Sequence, residues 1–465
     1  MQRLLCLPDQ VCDQDLEETG KNMQHFLFRI FPKIYRLSRI FRGRFTSLGT
    51  LLFFVAVLSA AVGFNVRVNL GGQVFAFLSS IFVVSGVLSL SFRGRFAVER
   101  ELPAIATVGE SFDYSVKIKN LRSCNEAGLE LYDRLEDLFP DFATYKNSNI
   151  KEEKNRNAYD RVIGYHRWLW VVKKLRGGIS EYRQLPLIPH NDNINITLNF
   201  TPLKRGYINF SAIDICRNDP FGLIRARKTI KKSDSLLVLP KRYPVPTLDL
   251  GGGSLYQIGG VVLSSSLGES EEFVSLRDYR PGDSLRSIHW KSFAKTGRPV
   301  IRETQPEYFT RNALILDTMV DCSDSHLFEE AISVAASFLC SFDLKETLLD
   351  LIFVGDKSYK YTAGRGVATQ NSLLKVVACA QRAENCDFRR LYSAVIPCCR
   401  EISGAILVLV ELDKSRQELI DAIRSFGVAV KVFVITKRED LKSSDSTITF
   451  LPVNSVVKAL KEVVG

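Results

Sequence analysis

The chain carries ten cysteines but no CxxC pair and no Cys/His group at metal-ligand spacing. This excludes a zinc-knuckle or disulfide-framework reading and points to free thiols in a reducing compartment. The adjacent Cys398 and Cys399 invite a redox role only weakly, because no second motif accompanies them. Residues 1–22 are polar and acidic with no apolar core, so a secretory signal is not expected there. Residues 250–268 are rich in Gly and Ser, yet neither GxGxxG nor a Walker lysine follows a strand, which excludes a phosphate loop. Histidine is scarce, at five residues, and neither HExxH nor a nucleophile elbow is present.

Charge is missing where it matters most. Residues 45–66 contain no charged side chain, and neither do residues 68–92. Each run exceeds the roughly 20 apolar residues needed to cross a bilayer core. Only Arg67 and an Asn69-Gly71-Gly72 turn separate them, which predicts a two-helix transmembrane hairpin over 45–92. Basic residues crowd both outer flanks: Lys33, Arg36, Arg39, Arg42 and Arg44 before it, and Arg93, Arg95 and Arg100 after it. The positive-inside rule then predicts a multi-pass membrane protein with both termini in the cytoplasm. The formal charge of +11 is placed for lipid head groups, so nucleic acid is not an expected partner.

Residues 1–44 form the N-terminal segment, and at Met23, an alternative start, its composition turns basic. Phe28, Phe31, Ile34 and Tyr35 can share a helical face, with Pro32 expected to set the start of that helix. A surface-lying amphipathic anchor and an unstructured juxtamembrane tail both fit this segment.

From 96 to 248 the pattern has period two. Phe112, Tyr114, Val116 and Ile118 alternate with polar residues, as do Ile194, Ile196, Leu198 and Phe200. Half-buried antiparallel strands behave this way, which predicts an Ig-like β-sandwich. An insertion near 147–183 sets Trp168 and Trp170 on a basic background, as either a partner-binding element or an ordinary packed hairpin. Residues 249–307 make a linker and a charged motif. From 308 to 465, short apolar strands at 313–316, 348–354, 405–410 and 428–435 alternate with helical stretches at 327–342, 372–383, 415–426 and 456–463. Ser415 and Glu418 have capping-box spacing, and Gly427 stops that helix. The alternation predicts a doubly wound, Rossmann-like α/β domain, making the whole a membrane-anchored α+β multidomain chain.

The motif spans residues 275–307 and holds eleven charged residues around a turn at Pro281-Gly282. Arg277, Asp278, Arg280, Asp283 and Arg286 mix their signs, which suits an Arg–Asp lattice better than an open basic patch. Such a lattice, between two differently patterned regions, is expected to brace the join between them, while His289, Trp290 and Lys291 face a partner. The run Arg277-Asp278-Tyr279, Pro281-Gly282-Asp283, Arg286 and Ile288-His289-Trp290-Lys291, with Ala294 and Lys295, resembles the signature of the bacterial family known as domain of unknown function 58 (DUF58). Arg205-Gly206-Tyr207 and Asp219-Pro220-Phe221-Gly222-Leu223 also resemble that family.

The resemblance implies a C-terminal von Willebrand factor A-like domain and a MoxR-type AAA+ ATPase as partner, in assembling or activating other proteins. In von Willebrand A domains an Asp-x-Ser-x-Ser loop binds Mg²⁺. Here the loop is Asp317-Thr318-Met319-Val320-Asp321: Asp317 matches, Met319 replaces one serine with a poor ligand for a hard cation, and Asp321 keeps an oxygen. Glu411 or Asp413 would supply the remote carboxylate. If the site is empty, Asp317 should matter little to stability. The functions to weigh are a non-enzymatic, membrane-anchored interaction module and a metal-assisted hydrolase using Asp317, Asp321 and an Asp278/Asp283/His289 cluster.

Overall fold

The computed structural model describes residues 9–63, 69–146, 157, 163–245, 250, 257–258, 272–305, 308–320, 325–342, 344, 347–364, 368–383, 387–438, 441 and 445–462. It is a mixed α/β protein with several sheets, divided into two compact units, Met1–Leu239 and Pro240–Gly465.

The first unit opens with three helices, α1 (Asp9–Arg44), α2 (Ser47–Gly63) and α3 (Asn69–Leu90). Helix α1 runs through Pro32 instead of starting there. Interior proline removes a backbone hydrogen bond, and here aromatic packing on both sides of it, by Phe28, Phe31 and Tyr35, offsets the loss. Of the two uncharged runs, Leu70–Leu90 makes a helix of 21 residues with mean hydropathy 2.0, long enough to cross a membrane. The other gives the shorter apolar helix Ser47–Val62, so the described residues contain one helix of spanning length where two are expected. Ser59 in α2 donates a hydrogen bond to the Gly71 carbonyl of α3 at 2.6 Å.

The strands that follow are β1 (Phe96–Glu101), β2 (Ile105–Thr107), β3 (Phe112–Asn120), β4 (Leu129–Leu135), β5 (Tyr182–Gln184), β6 (Asn193–Phe200), β7 (Gly206–Asn218) and β8 (Arg225–Leu239). They form a sheet of order β1-β3-β6 and one of order β2-β8-β7-β4-β5. The alternating apolar residues of both sheets enter one core, with Val116, Ile118 and Phe200 from the first beside Leu131, Ile213 and Val238 from the second. At its edge Arg100, fully buried, donates to Asp133 at 2.6 and 2.9 Å and to Asp234 at 2.5 Å.

Between β4 and β5 lie α4 (Phe142–Lys146) and α5 (Tyr165–Arg176). Where it is described, the insertion is mainly helical and not a hairpin. Trp168 is fully buried, packed with Phe31 and Tyr145 and stacked on Phe139 and Tyr165. Aromatic burial of this size ties α1 to the insertion.

The second unit contains β9 (Gln257–Ile258), β10 (Glu272–Asp278), α6 (Trp290–Thr296), β11 (Val300–Gln305), β12 (Tyr308–Leu316), α7 (Ser325–Ser341), β13 (Thr347–Val354), β14 (Ser358–Ala363), α8 (Gln370–Cys379), α9 (Arg389–Val395), β15 (Gly404–Val410), α10 (Lys414–Ser425), β16 (Ala429–Thr436), β17 (Ile448–Pro452) and α11 (Val456–Glu462). Its main sheet has the order β14-β13-β12-β15-β16-β17, with β9 against β12. The five strands from β13 to β17 in that order run parallel, and β14 is antiparallel. Strand β15, GAILVLV, is buried at every position, as a strand covered on both faces must be. Helix α8 stops at Cys379, short of the expected 383. Helix α10 is capped by Asp413, which accepts from the Arg416 N–H at 2.8 Å, and not by a Ser415–Glu418 box.

Candidate functional site

The motif folds into a local hairpin. Strands β10 and β11 pair antiparallel, with Arg277 opposite Ile301 and Asp278 opposite Val300. The chain between them turns at Pro281-Gly282, where Gly282 takes φ +110° and the Asp283 N–H closes on the Arg280 carbonyl at 3.0 Å. A non-glycine residue would be strained there. Helix α6 then returns to the strand, the His289 N–H reaching the Val300 carbonyl at 2.9 Å and Gly297 ending the helix at φ +68°. Ile301 is buried beneath.

The charge lattice is small and local. Arg277 grips Asp283 with two bonds, at 2.7 and 2.8 Å, and the Arg280 N–H adds a third at 2.8 Å. The Arg277 fork first, and the Arg280 amide behind it, hold the Asp283 carboxyl down to about 2. Both partners are part-exposed, so the pair lies at the surface of the hairpin. Asp278 and the Arg280 side chain are exposed, and Tyr279 is half-buried with its N–H on the Pro299 carbonyl at 3.0 Å. The Arg286 side chain lies outside the described residues.

His289 meets Ser292 Oγ through Nδ1 at 2.7 Å, a local contact of the first helical turn. Asp283 is bonded to Arg277 and Arg280, and no hydrogen bond joins His289 to Asp278 or Asp283 among the described residues. The hairpin instead displays apolar surface: Leu276, Leu285, Trp290 and Phe293 are all exposed, Trp290 by 62%. Trp290 and Phe293 meet edge to face at 5.9 Å. Exposed Arg280, Lys291, Lys295 and Arg298 accompany them.

The second candidate locus is at the end of β12. Asp317 is completely buried. Its Oδ1 accepts the Met319 N–H at 2.9 Å, and its Oδ2 accepts the Val410 N–H at 3.2 Å and Arg416 Nε at 2.7 Å. Arg416 Nη1 also pairs with Asp413 at 2.7 Å, Nη2 donates to the Met319 carbonyl at 3.0 Å, and the guanidinium lies 5.1 Å from the Phe388 ring centre. Burial works to lower the Arg416 pKa, and Asp317 and Asp413 override it, leaving it above its ordinary value.

A guanidinium therefore bridges Asp317 and Asp413, two of the carboxylates expected to hold a divalent ion, and takes one oxygen of each. The Met319 backbone supports this arrangement while its thioether packs on the apolar core. Asp321 lies outside the described residues, and Glu411, at φ +58°, accepts no role in the pair. Arg416 was the residue sequence reading overlooked. Its signal is the Asp413-x-x-Arg416 spacing at a helix start, which puts cap and guanidinium on one side.

Residues 275–426 match the family model described as protein of unknown function DUF58. Uncharacterized protein YeaD of Bacillus subtilis (strain 168) is 27% identical over 153 residues, 32% of this chain and 36% of that protein. The chain thus spans just over a third of that relative's length. Among solved structures, the CARDB domain of a Pyrococcus furiosus protein in complex with di-metal ions is 11% identical, with TM-score 0.17, covering 31% of this chain and 89% of that one. A β-glucosidase from Listeria innocua in complex with glucose is 11% identical, with TM-score 0.16, covering 31% and 16%. Likeness at that level carries no argument about fold or chemistry.

Proposed function

We propose that the chain is a membrane-anchored protein-interaction module whose docking face is the β10–α6–β11 hairpin. The observation that carries this reading is Trp290, exposed by 62% on a hairpin already fixed by its turn and the Arg277–Asp283 fork. Tryptophan is the residue type most enriched at binding hot spots, and a preformed surface avoids ordering cost on association. Exposed cations around it fit a partner with an acidic rim and an apolar pocket. By family resemblance that partner is a MoxR-type AAA+ ATPase.

The finer architecture belongs to the same reading. We take the two sheets of the first unit as an Ig-like β-sandwich and the parallel sheet of the second as a von Willebrand factor A-like, Rossmann-like domain. Helices α2 and α3 are read as a membrane hairpin, with both termini in the cytoplasm of a bacterial cell. The length and hydropathy of Leu70–Leu90 support membrane association. The metal locus is read as an arginine-filled relic needing no Mg²⁺. The metal-assisted hydrolase has less support, because Arg416 stands between Asp317 and Asp413 and His289 is turned to Ser292.

The test uses the purified full chain and a purified MoxR-type ATPase from the same organism. Lys291→Ala should fold as the wild type and bind the ATPase more weakly. Unchanged binding by Lys291→Ala, or a hydrolytic activity abolished by His289→Ala, would overturn the reading.

A further inference from the structure

Helix α1 has two faces, and only one is covered within its unit. Leu27, Phe28, Phe31 and Tyr35 pack against Tyr145, Trp168, Phe139 and Phe142. Arg39 pairs with Asp137, which also accepts from Arg176 at 2.8 Å, and Arg176 donates to the Tyr35 hydroxyl. These contacts fix the rotation of the helix. The opposite face cannot turn inward, yet it carries Phe26, Ile34, Leu37 and Ile40, all exposed, Leu37 by 69%. At 100° per residue Phe26, Leu37 and Ile40 fall within one narrow stripe, with Ile34 at its margin. Arg29 and Arg36 are exposed along its other margin, Lys33 stands within the stripe, and Arg44 is exposed at its end.

Two further observations identify what covers this face. No Asp or Glu occurs from residue 19 to residue 98, so nothing along this stretch offsets its cations. The face also runs directly into the apolar helices. Between α1 and α2 stand only Phe45 and Thr46, and both are held on the turn at 219–224: Phe45 bridges Ile224, and the Thr46 N–H reaches the Leu223 carbonyl at 3.1 Å. Buried Asp219 builds that turn by accepting the Leu223 and Ile224 amides at 2.6 and 2.7 Å. A Cβ added to Gly49 would stand 2.1 Å from the Leu223 carbonyl oxygen, so the start of α2 is seated closely on the same turn.

We infer that the outer face of α1 is a lipid-binding surface, seated in the anionic headgroup layer of the membrane that α3 enters. This rests on the membrane reading above. The apolar stripe enters the boundary of the acyl chains while the cations meet phosphate, as in interfacial helices. The Asp219 turn is the clamp that holds this helix, the start of α2 and the β-sheets in one frame.

The experiment reconstitutes the full chain in nanodiscs whose lipids carry brominated acyl chains, with or without phosphatidylglycerol. Tryptophan is introduced as Leu37→Trp, with Ile40→Trp as a second probe of the stripe, and as Val83→Trp within α3. Emission is compared with the wild type to remove the native tryptophans. Val83→Trp should be quenched in both lipids; Leu37→Trp and Ile40→Trp should be quenched most strongly with phosphatidylglycerol present. Adding Arg29→Gln and Arg36→Gln should reduce that lipid preference, about fivefold in occupancy per cation removed. Quenching at Val83→Trp with none at Leu37→Trp or Ile40→Trp overturns the lipid surface alone. No quenching at any site overturns the membrane reading itself. Protection of the stripe only in a dimeric chain would assign it to a second copy and also overturn the proposal.

Discussion

The pairs Asp317–Arg416 and Arg277–Asp283 are built from the same chemistry and do opposite things. Each joins an arginine to a carboxylate that also accepts backbone amides. The Asp317 side chain is fully shielded, whereas Arg277 and Asp283 keep a third and a fifth of their side-chain surface in water. A buried ion stripped of its partner has no water to replace it, whereas an exposed one does. The first pair is therefore part of the second unit's core, and the second pair shapes a surface.

The comparison breaks most sharply at Asp317. Asp317→Ala leaves Arg416 Nε and the Met319 and Val410 amides without their buried acceptor and should cost about 3–5 kcal/mol in a denaturant or thermal melt. This reverses the expectation that an empty metal site would make Asp317 dispensable. A melt like the wild type would mean that Arg416 escapes to solvent. Next, millimolar Mg²⁺ should leave the wild-type melting temperature unchanged, because a ligand stabilises only where it binds the folded state. A rise in melting temperature that disappears in Asp317→Ala would restore the metal.

A smaller effect is expected at the hairpin. Asp283→Asn should melt close to the wild type at neutral pH. The Asp283 carboxyl is held down to about 2, so its contribution is complete above the ordinary carboxylate range and is lost as pH falls through about 2. The small difference between wild type and Asp283→Asn should therefore vanish over that acidic interval and remain constant from pH 5 to 7. A difference that changed near neutrality would point to a histidine instead.

The sequence makes the second unit's central strands easy to read, because 405–410 and 428–435 are apolar runs bounded by polar turns. It hides β14 and β17: SYKYTA carries half-exposed tyrosines, and ITFLP is a short strand ending in proline. Helix propensity alone starts the helix at Pro32, and only tertiary contacts such as those of Phe31 with Tyr145 and Trp168 let α1 run on through it from the N-terminal side. The charged motif was visible as a unit through its turn residues. Its burial was not, because alternating signs look the same in a core and on a surface. Arg416 escaped notice for the converse reason: a lone arginine at a helix start reads as solvated until β12 brings Asp317 beneath it.

The central claim is that the hairpin is a docking face and not part of the core or of a catalytic centre. The most direct measurement is the affinity of the purified MoxR-type ATPase for the full chain and for Trp290→Ala, alongside their thermal melts. Loss of an exposed aromatic anchor should weaken binding by about 2 kcal/mol or more, roughly thirtyfold, with the melt unchanged. Equal affinity of the two chains, or a collapse of the Trp290→Ala melt, would contradict it.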